Sequence, residues 1–332
     1  MSKCLRLSRE THFYGSRKGR VYTMLKRERW FAVVNPQSAN GSTRKLWPAY
    51  LKRLEDEGYL INYEYTTKPR DATLITQRIL SEGYTHIIAV GGDGTMNEVV
   101  NGFFFNGQLI NPEAELALFS HGTGGDLIRT LMIPKGIDSF SAILSQNRKR
   151  MVDVGEVQFL NNHGQQETRY FINVADVGLG GETVARVNRQ SKFLGGKLSF
   201  LIGSVISILS YHNKVMRCEI DGKLVLEGRH NSIMVANGRY IGGGMMIAPH
   251  AELDDGLFDV VCLGNFSTLT LLRHFPKLYR GEHLKIPGVN VYRGRSVVIT
   301  SKERALLDID GEQPGYTPIS FTLHPQILCL WV

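Results

Sequence analysis

Cysteine is scarce: the 332 residues hold four, Cys4, Cys218, Cys262 and Cys329, too far apart for a C-x-x-C pair. Neither a disulfide framework nor a zinc ribbon is expected, and a reducing compartment such as the cytoplasm fits. Long apolar runs are missing too. The longest nearly uncharged one, Leu198 to Tyr211, is shorter than the roughly 18 residues of a membrane-spanning helix, so an integral membrane protein is not expected. The ten histidines show no H-E-x-x-H or related metal spacing, so His86, His121 and His250 read as structural. There is also no nucleophile elbow, Walker A loop, dinucleotide G-x-G-x-x-G, internal repeat or low-complexity stretch. What remains is a chain with 42% hydrophobic residues, enough for a large core, and 35 glycines grouped in clusters, which leans toward an enzyme with functional loops.

Charge is concentrated at one end. Residues 1–29 carry nine Lys/Arg against Glu10 and Glu28, a net +7 of the whole chain's +8. Such a basic arm reads either as a flexible tail or as a cushion for anionic lipid head groups, a peripheral membrane contact of a cytoplasmic protein. A nucleic-acid partner has little support and is not expected. The arm lacks the apolar core and cleavage site of a secretory signal, and Met24 is a second candidate start.

Residues 30–150 alternate strand and helix. Trp30 to Val34, Leu60 to Thr66, His86 to Val90 and Leu116 to Ser120 read as strands; Leu46 to Glu57, Asp71 to Ser81, Met96 to Phe104 and Asp126 to Met132 read as helices. This predicts an open parallel α/β domain, with ligands at the C-terminal ends of its strands. Residues 151–332 show many short β-rich runs separated by turns such as Asp221-Gly222 and Asp255-Gly256. They predict a second, mainly antiparallel β domain with helices near 183–211 and 268–280, whose last strands can return to the first domain. Leu198 to Tyr211 reads as a buried helix or as the wall of an apolar groove.

The strongest motif is strand His86 to Val90 followed by Gly91-Gly92-Asp93-Gly94-Thr95-Met96-Asn97-Glu98. A glycine turn lets backbone approach a phosphate, and the next helix offers its N-terminal N–H groups to the same anion. A carboxylate there is repulsive unless a divalent cation intervenes, so Asp93 is a candidate partner of nucleotide-bound magnesium; a helix cap is the plainer reading. The loops Asn35 to Ser42 and Gly122-Thr123-Gly124-Gly125-Asp126 fall at the same edge and extend the crevice. Later, Ala251-Glu252-Leu253-Asp254-Asp255-Gly256-Leu257-Phe258-Asp259 bunches oxygen ligands that suit a hard cation or a solvated turn. Asp310 and Glu312 stand two apart, so on an extended chain both point one way into a cavity or out to solvent.

This set of motifs, in this order, resembles the diacylglycerol kinase catalytic-domain family, which includes bacterial YegS-like lipid kinases and the sphingosine and ceramide kinases. Asn97-Glu98-Val99, Leu253-Asp254-Asp255-Gly256 and Asp310-Gly311-Glu312 carry more of the likeness than the glycine turn, which NAD kinases share. The resemblance implies an α/β nucleotide domain followed by a β-sandwich domain, using ATP and Mg2+ to phosphorylate a lipid hydroxyl at a membrane surface. It places Asn35, Thr66, Gly91, Gly92, Asp93, Gly94, Thr95, Met96, Asn97 and Thr123 at the nucleotide. It gives a structural magnesium to the Asp255 side chain and the Glu252 and Leu257 carbonyls. Glu312 matches the proton acceptor, with Asp310 beside it in the water and magnesium network; sphingosine kinases give that role to the position of Asp93. Gly125 departs from the family's usual Asn. A homodimer is possible in this family. An NAD kinase-like enzyme and a non-catalytic lipid- or nucleotide-binding regulator stay open as alternatives.

Overall fold

The computed structural model describes residues 29–122, 124–189 and 196–332, so the basic arm up to residue 28, with Met24 and Cys4, and the loop residue Thr123 lie outside the described residues. The first half runs β1 (Arg29–Val34), α1 (Ser42–Asp56), β2 (Leu60–Tyr65), α2 (Asp71–Ser81), β3 (His86–Gly91), α3 (Asp93–Gly102), the small hairpin β4 (Phe104–Phe105) and β5 (Gln108–Leu109), β6 (Glu115–Ser120), α4 (Asp126–Thr130) and α5 (Ile137–Gln146). Strands β2, β1, β3 and β6 lie side by side and parallel. Alternation along each strand sends side chains to opposite faces. Phe31, Val33, Ile87 and Leu116 pack under α2 and α3, while Trp30, Ala32, Val34, Ile88 and Phe119 pack under α1 and α5. With both faces covered, the strands read as continuous apolar runs, as buried parallel sheets do.

The second half contains β7 (Lys149–Asn161), β8 (Gln166–Phe171), β9 (Val174–Gly178), α6 (Leu179–Arg189), α7 (Gly196–Ser210), β10 (Lys214–Ile220), β11 (Lys223–His230), β12 (Ser232–Ala236), the pair β13 (Tyr240–Ile241) and β14 (Met245–Met246), β15 (Phe258–Leu263), α8 (Thr268–Leu278), β16 (Val289–Gly294), β17 (Ser296–Ser301), β18 (Leu306–Ile309) and β19 (Glu312–Trp331). These strands pair antiparallel with one another, and their inner faces meet around Phe159, Phe171, Val177, Phe258 and Phe321. The 20-residue β19 joins the halves: its early part pairs with β17 and β18, and its end pairs parallel with β6 through Cys329↔Glu115 to Trp331↔Ala117. One mixed sheet of fifteen strands therefore joins the two halves, with the β4–β5 and β13–β14 pairs apart from it.

Two expectations need correction. Ile137–Gln146 is a helix with no counterpart in the sequence reading, entered from Gly136 without a side-chain cap. Asp310 is not on an extended strand: its φ of 48° and the 92° of Gly311 make a turn between β18 and β19, so alternation does not govern where the two acids point. Among the described residues no helix is long and apolar enough to cross a membrane.

Candidate active site

The loops after β1, β2, β3 and β6 meet the Asp310–Glu312 turn around a crevice of about 930 Å³. Its first wall follows from glycine. The β3 strand ends at Gly91, and Gly92 is the extended N-cap of α3, which lacks a side-chain cap. A Cβ on Gly91 would overlap the Thr95 side chain at 2.5 Å, and one on Gly122 would meet Gly92 Cα at 2.8 Å. Only glycines let these two loops cross so closely, leaving the positive end of α3 facing the crevice. Asn35 ties the first loop in, donating from Nδ2 to Thr95 Oγ1 at 2.9 Å.

Asp93 acts here as a clamp. Its Oδ2 accepts the Gly125 N–H at 2.7 Å, and its Oδ1 accepts those of Asp126 at 3.0 Å and Leu127 at 3.4 Å. It thereby caps α4 and holds the 122–127 loop against α3. Next to it, buried Asp126 accepts the Gly243 N–H at 2.7 Å and Arg129 Nη1 at 2.6 Å. Burial nevertheless leaves its carboxyl raised above the usual range.

The opposite wall is the Asp310 turn. Asp310 points inward, its Oδ1 accepting the Val174 N–H at 3.0 Å and its Oδ2 accepting Asn97 Nδ2 at 2.8 Å. Asn97 thus links α3 directly to the turn. Burial pushes the Asp310 carboxyl up to about 7, against the two hydrogen bonds that favour its charged form. Glu312 leans into the crevice with its Oε2 on Arg169 Nη1 at 2.9 Å.

Of the residues singled out from the sequence, Asn35, Thr66, Gly92, Asp93, Gly94, Thr95, Asp310 and Glu312 line the crevice. Gly91, Met96 and Asn97 do not. Because α3 starts at Asp93, Met96 and Asn97 fall on its inner face: Met96 is core, and Asn97 reaches Asp310 from behind. Glu252, Asp255 and Leu257 lie outside the crevice. There Asp255 pairs with the Arg293 guanidinium and accepts the Leu257 N–H at 3.0 Å, while Arg150 grips Asp254 through two bonds. Among the described residues no group of three or more His, Cys, Asp or Glu side chains is set to share an ion. The crevice also gathers residues that the sequence reading passed over. Arg44 and Lys68 line it, and Lys68 sits in the loop after β2, at the same strand-end edge as the glycine turn.

The lining suits a nucleotide's phosphates and offers carboxylates to a cation, without a preset cluster of them among the described residues. Asp93, Asp126, Asp310 and Glu312 put carboxylate oxygens on one crevice that also holds Arg44 and Lys68. A separate apolar cavity of about 100 Å³ lies beneath α6, α7 and α8, lined by side chains such as Met234, Leu263, Ile208 and Phe275; Ile241 borders both spaces. The α7 segment is thus a cavity wall at Ser204 and Ile208 and solvent-facing at Leu209.

Comparison with known proteins agrees in both halves. Residues 29–157 match the diacylglycerol kinase catalytic domain, and residues 173–332 match the YegS C-terminal NAD kinase beta sandwich-like domain. A diacylglycerol kinase of Staphylococcus carnosus is 30% identical over 296 residues, covering 89% of this chain and 92% of that protein. One of Staphylococcus aureus is 31% identical over 296 residues, 89% of each chain. Among solved structures, a diacylglycerol kinase from Bacillus anthracis superposes with a TM-score of 0.67 at 20% identity, covering 92% of this chain and 96% of that one. Yeast NADH kinase in complex with NADH superposes at 0.54 with 11% identity, covering 91% and 82%. At these identities the two structures speak for the fold, an α/β domain followed by a β-sandwich domain.

Proposed function

The chain belongs to the diacylglycerol kinase catalytic-domain family and is a lipid kinase, and from that premise we propose that it moves the γ-phosphoryl group of ATP onto the free hydroxyl of diacylglycerol. The observation that carries this reading is the shared crevice: the glycine turn at Gly92–Thr95 and the acidic turn at Asp310–Glu312 face each other across it.

The chain's own residues have distinct parts in this proposal. Backbone N–H groups of the α3 start, with Arg44 and Lys68, bind the phosphates. Magnesium, when bound, would supply charge neutralisation on the phosphates, and the crevice carboxylates Asp93, Asp126 and Asp310 would hold it directly or through water. Glu312 takes the proton of the lipid hydroxyl as the new oxygen–phosphorus bond forms and the bond from the γ-phosphorus to its bridging oxygen breaks. Asp310, pinned by Val174 and Asn97, fixes the turn that presents Glu312. A metal at Glu252, Asp255 and Leu257 is a second proposed site, and it requires Arg293 to release Asp255. The apolar cavity under α8 takes part of an acyl chain, and the basic arm with exposed Leu209 and Leu269 gives a peripheral membrane contact.

The direct test of the proton-acceptor role is Glu312→Gln. It is expected to lower turnover by 100-fold or more while ATP still binds, the scale of a lost general base. Full turnover in that variant overturns the role.

A further inference from the structure

Glu312 ends a row of alternating charges that starts on the crevice helix. Glu98 of α3 accepts the backbone N–H groups of Arg70 at 3.0 Å and Ala72 at 3.1 Å. The Arg70 guanidinium then reaches Glu167 Oε1 at 2.8 Å. Glu167 Oε1 also accepts from Arg169 Nε at 2.9 Å, and Arg169 Nη1 donates to Glu312 Oε2 at 2.9 Å. Residues 98, 70, 167, 169 and 312 thus connect the nucleotide wall to the acceptor wall through β8, where Glu167 and Arg169, two apart, share a face.

The links are unequal. Arg70 is 60% exposed and its bridge contributes little on its own. Arg169 is only 13% exposed and spends its guanidinium on two carboxylates in a fixed fork. Burial pushes the Glu167 carboxyl up, but the Arg169 and Arg70 guanidinia outweigh it and leave it below the usual range. Glu312, by contrast, is 40% exposed, follows a turn of two left-handed residues and, among the described residues, is held by one side chain, Arg169. A glutamate with three free torsions held by one guanidinium nitrogen depends on that contact for its position.

We propose that Arg169 is a positioning residue that holds Glu312 in register with the crevice, and that Glu167 and Arg70 anchor it to the loop on the nucleotide side. This inference rests on the reading of Glu312 as proton acceptor. The guanidinium does not line the crevice; it restricts the carboxylate to one orientation, and a misplacement of about 1 Å at such a group costs up to about 100-fold in rate.

The test is a double-mutant cycle measured by labelled phosphate transfer from ATP to diacylglycerol in mixed micelles, at enzyme concentrations that resolve residual turnover. Arg169→Gln is expected to lower kcat by about 10- to 100-fold and change KM for ATP by less than about threefold. Added to E312Q it is expected to cost nothing more, because the carboxylate it positions is gone. Arg169→Lys keeps the charge but not the fork; it guards against simple loss of fold and is expected to fall between. An unchanged kcat in R169Q, or an equal further loss in the E312Q background, overturns the positioning role. Full turnover in E312Q overturns the proton-acceptor reading instead, so the two failures are distinguishable.

Discussion

Removal of the Asp93 carboxylate has a local cost that the structure allows to be worked out. In D93A the N–H groups of Gly125 and Asp126 lose acceptors at 2.7 and 3.0 Å, and that of Leu127 loses one at 3.4 Å. A hydrogen bond to a charged group contributes about 1.5–3 kcal/mol net. Asp93 is half-buried, so the lower end applies, and its two short bonds together hold the loop by about 3 kcal/mol. With about 1.4 kcal/mol per tenfold change, hydrogen exchange at amides 125–127 is expected to accelerate about 100-fold. D93N, which keeps one acceptor oxygen, is expected to accelerate it about tenfold. Exchange mass spectrometry on peptides covering 124–131, without nucleotide, reads this directly. Unchanged protection in D93A refutes the clamp and leaves Asp93 to the cation alone.

Three further outcomes follow from other parts of the molecule. Burial pushes Asp176 up to about 7, against roughly 3.9 in an unfolded chain. The native state therefore keeps a proton that the unfolded chain has lost, and this group's contribution to stability falls as pH rises from about 4 to 7. D176N is accordingly expected to gain on wild type in urea midpoint between pH 5 and 7.5, and a difference independent of pH contradicts this. In G122A a Cβ would sit 2.8 Å from Gly92 Cα, forcing two backbone loops apart. It is expected to raise KM for ATP about tenfold with a small change in urea midpoint, and an unchanged KM shows that the loop crossing does not shape the nucleotide site. Deletion of residues 1–29, which hold nine Lys/Arg, is expected to weaken sedimentation with anionic vesicles and leave neutral ones unaffected. Equal binding of both proteins removes the arm from membrane contact.

Local order is what made much of this legible beforehand. Strands such as His86–Gly91, buried on both faces, show as short apolar runs, and the glycine and polar loops that close them mark one sheet edge. Asp71–Ser81 carries its own helical periodicity, and the structure keeps those bounds. What escaped depends on partners far along the chain. The start of α3 at Asp93 turns Met96 and Asn97 inward, so a motif that reads as one nucleotide contact divides into crevice residues and core residues. The left-handed Asp310 breaks the period-2 rule that otherwise relates it to Glu312. Arg169 meets Glu312 across 143 residues, and nothing in their spacing announces it. Asp93 reads as a cation partner from its neighbours, yet its bonds to the 125–127 backbone are visible only in three dimensions.

The central claim is phosphoryl transfer to a lipid hydroxyl. Its most direct test is an assay with γ-labelled ATP and magnesium against mixed micelles of diacylglycerol, sphingosine, ceramide and phosphatidylglycerol, with NAD in a parallel reaction. The account predicts label in the organic phase as phosphorylated diacylglycerol. Label in NADP alone, or in none of the products while ATP binds, contradicts it.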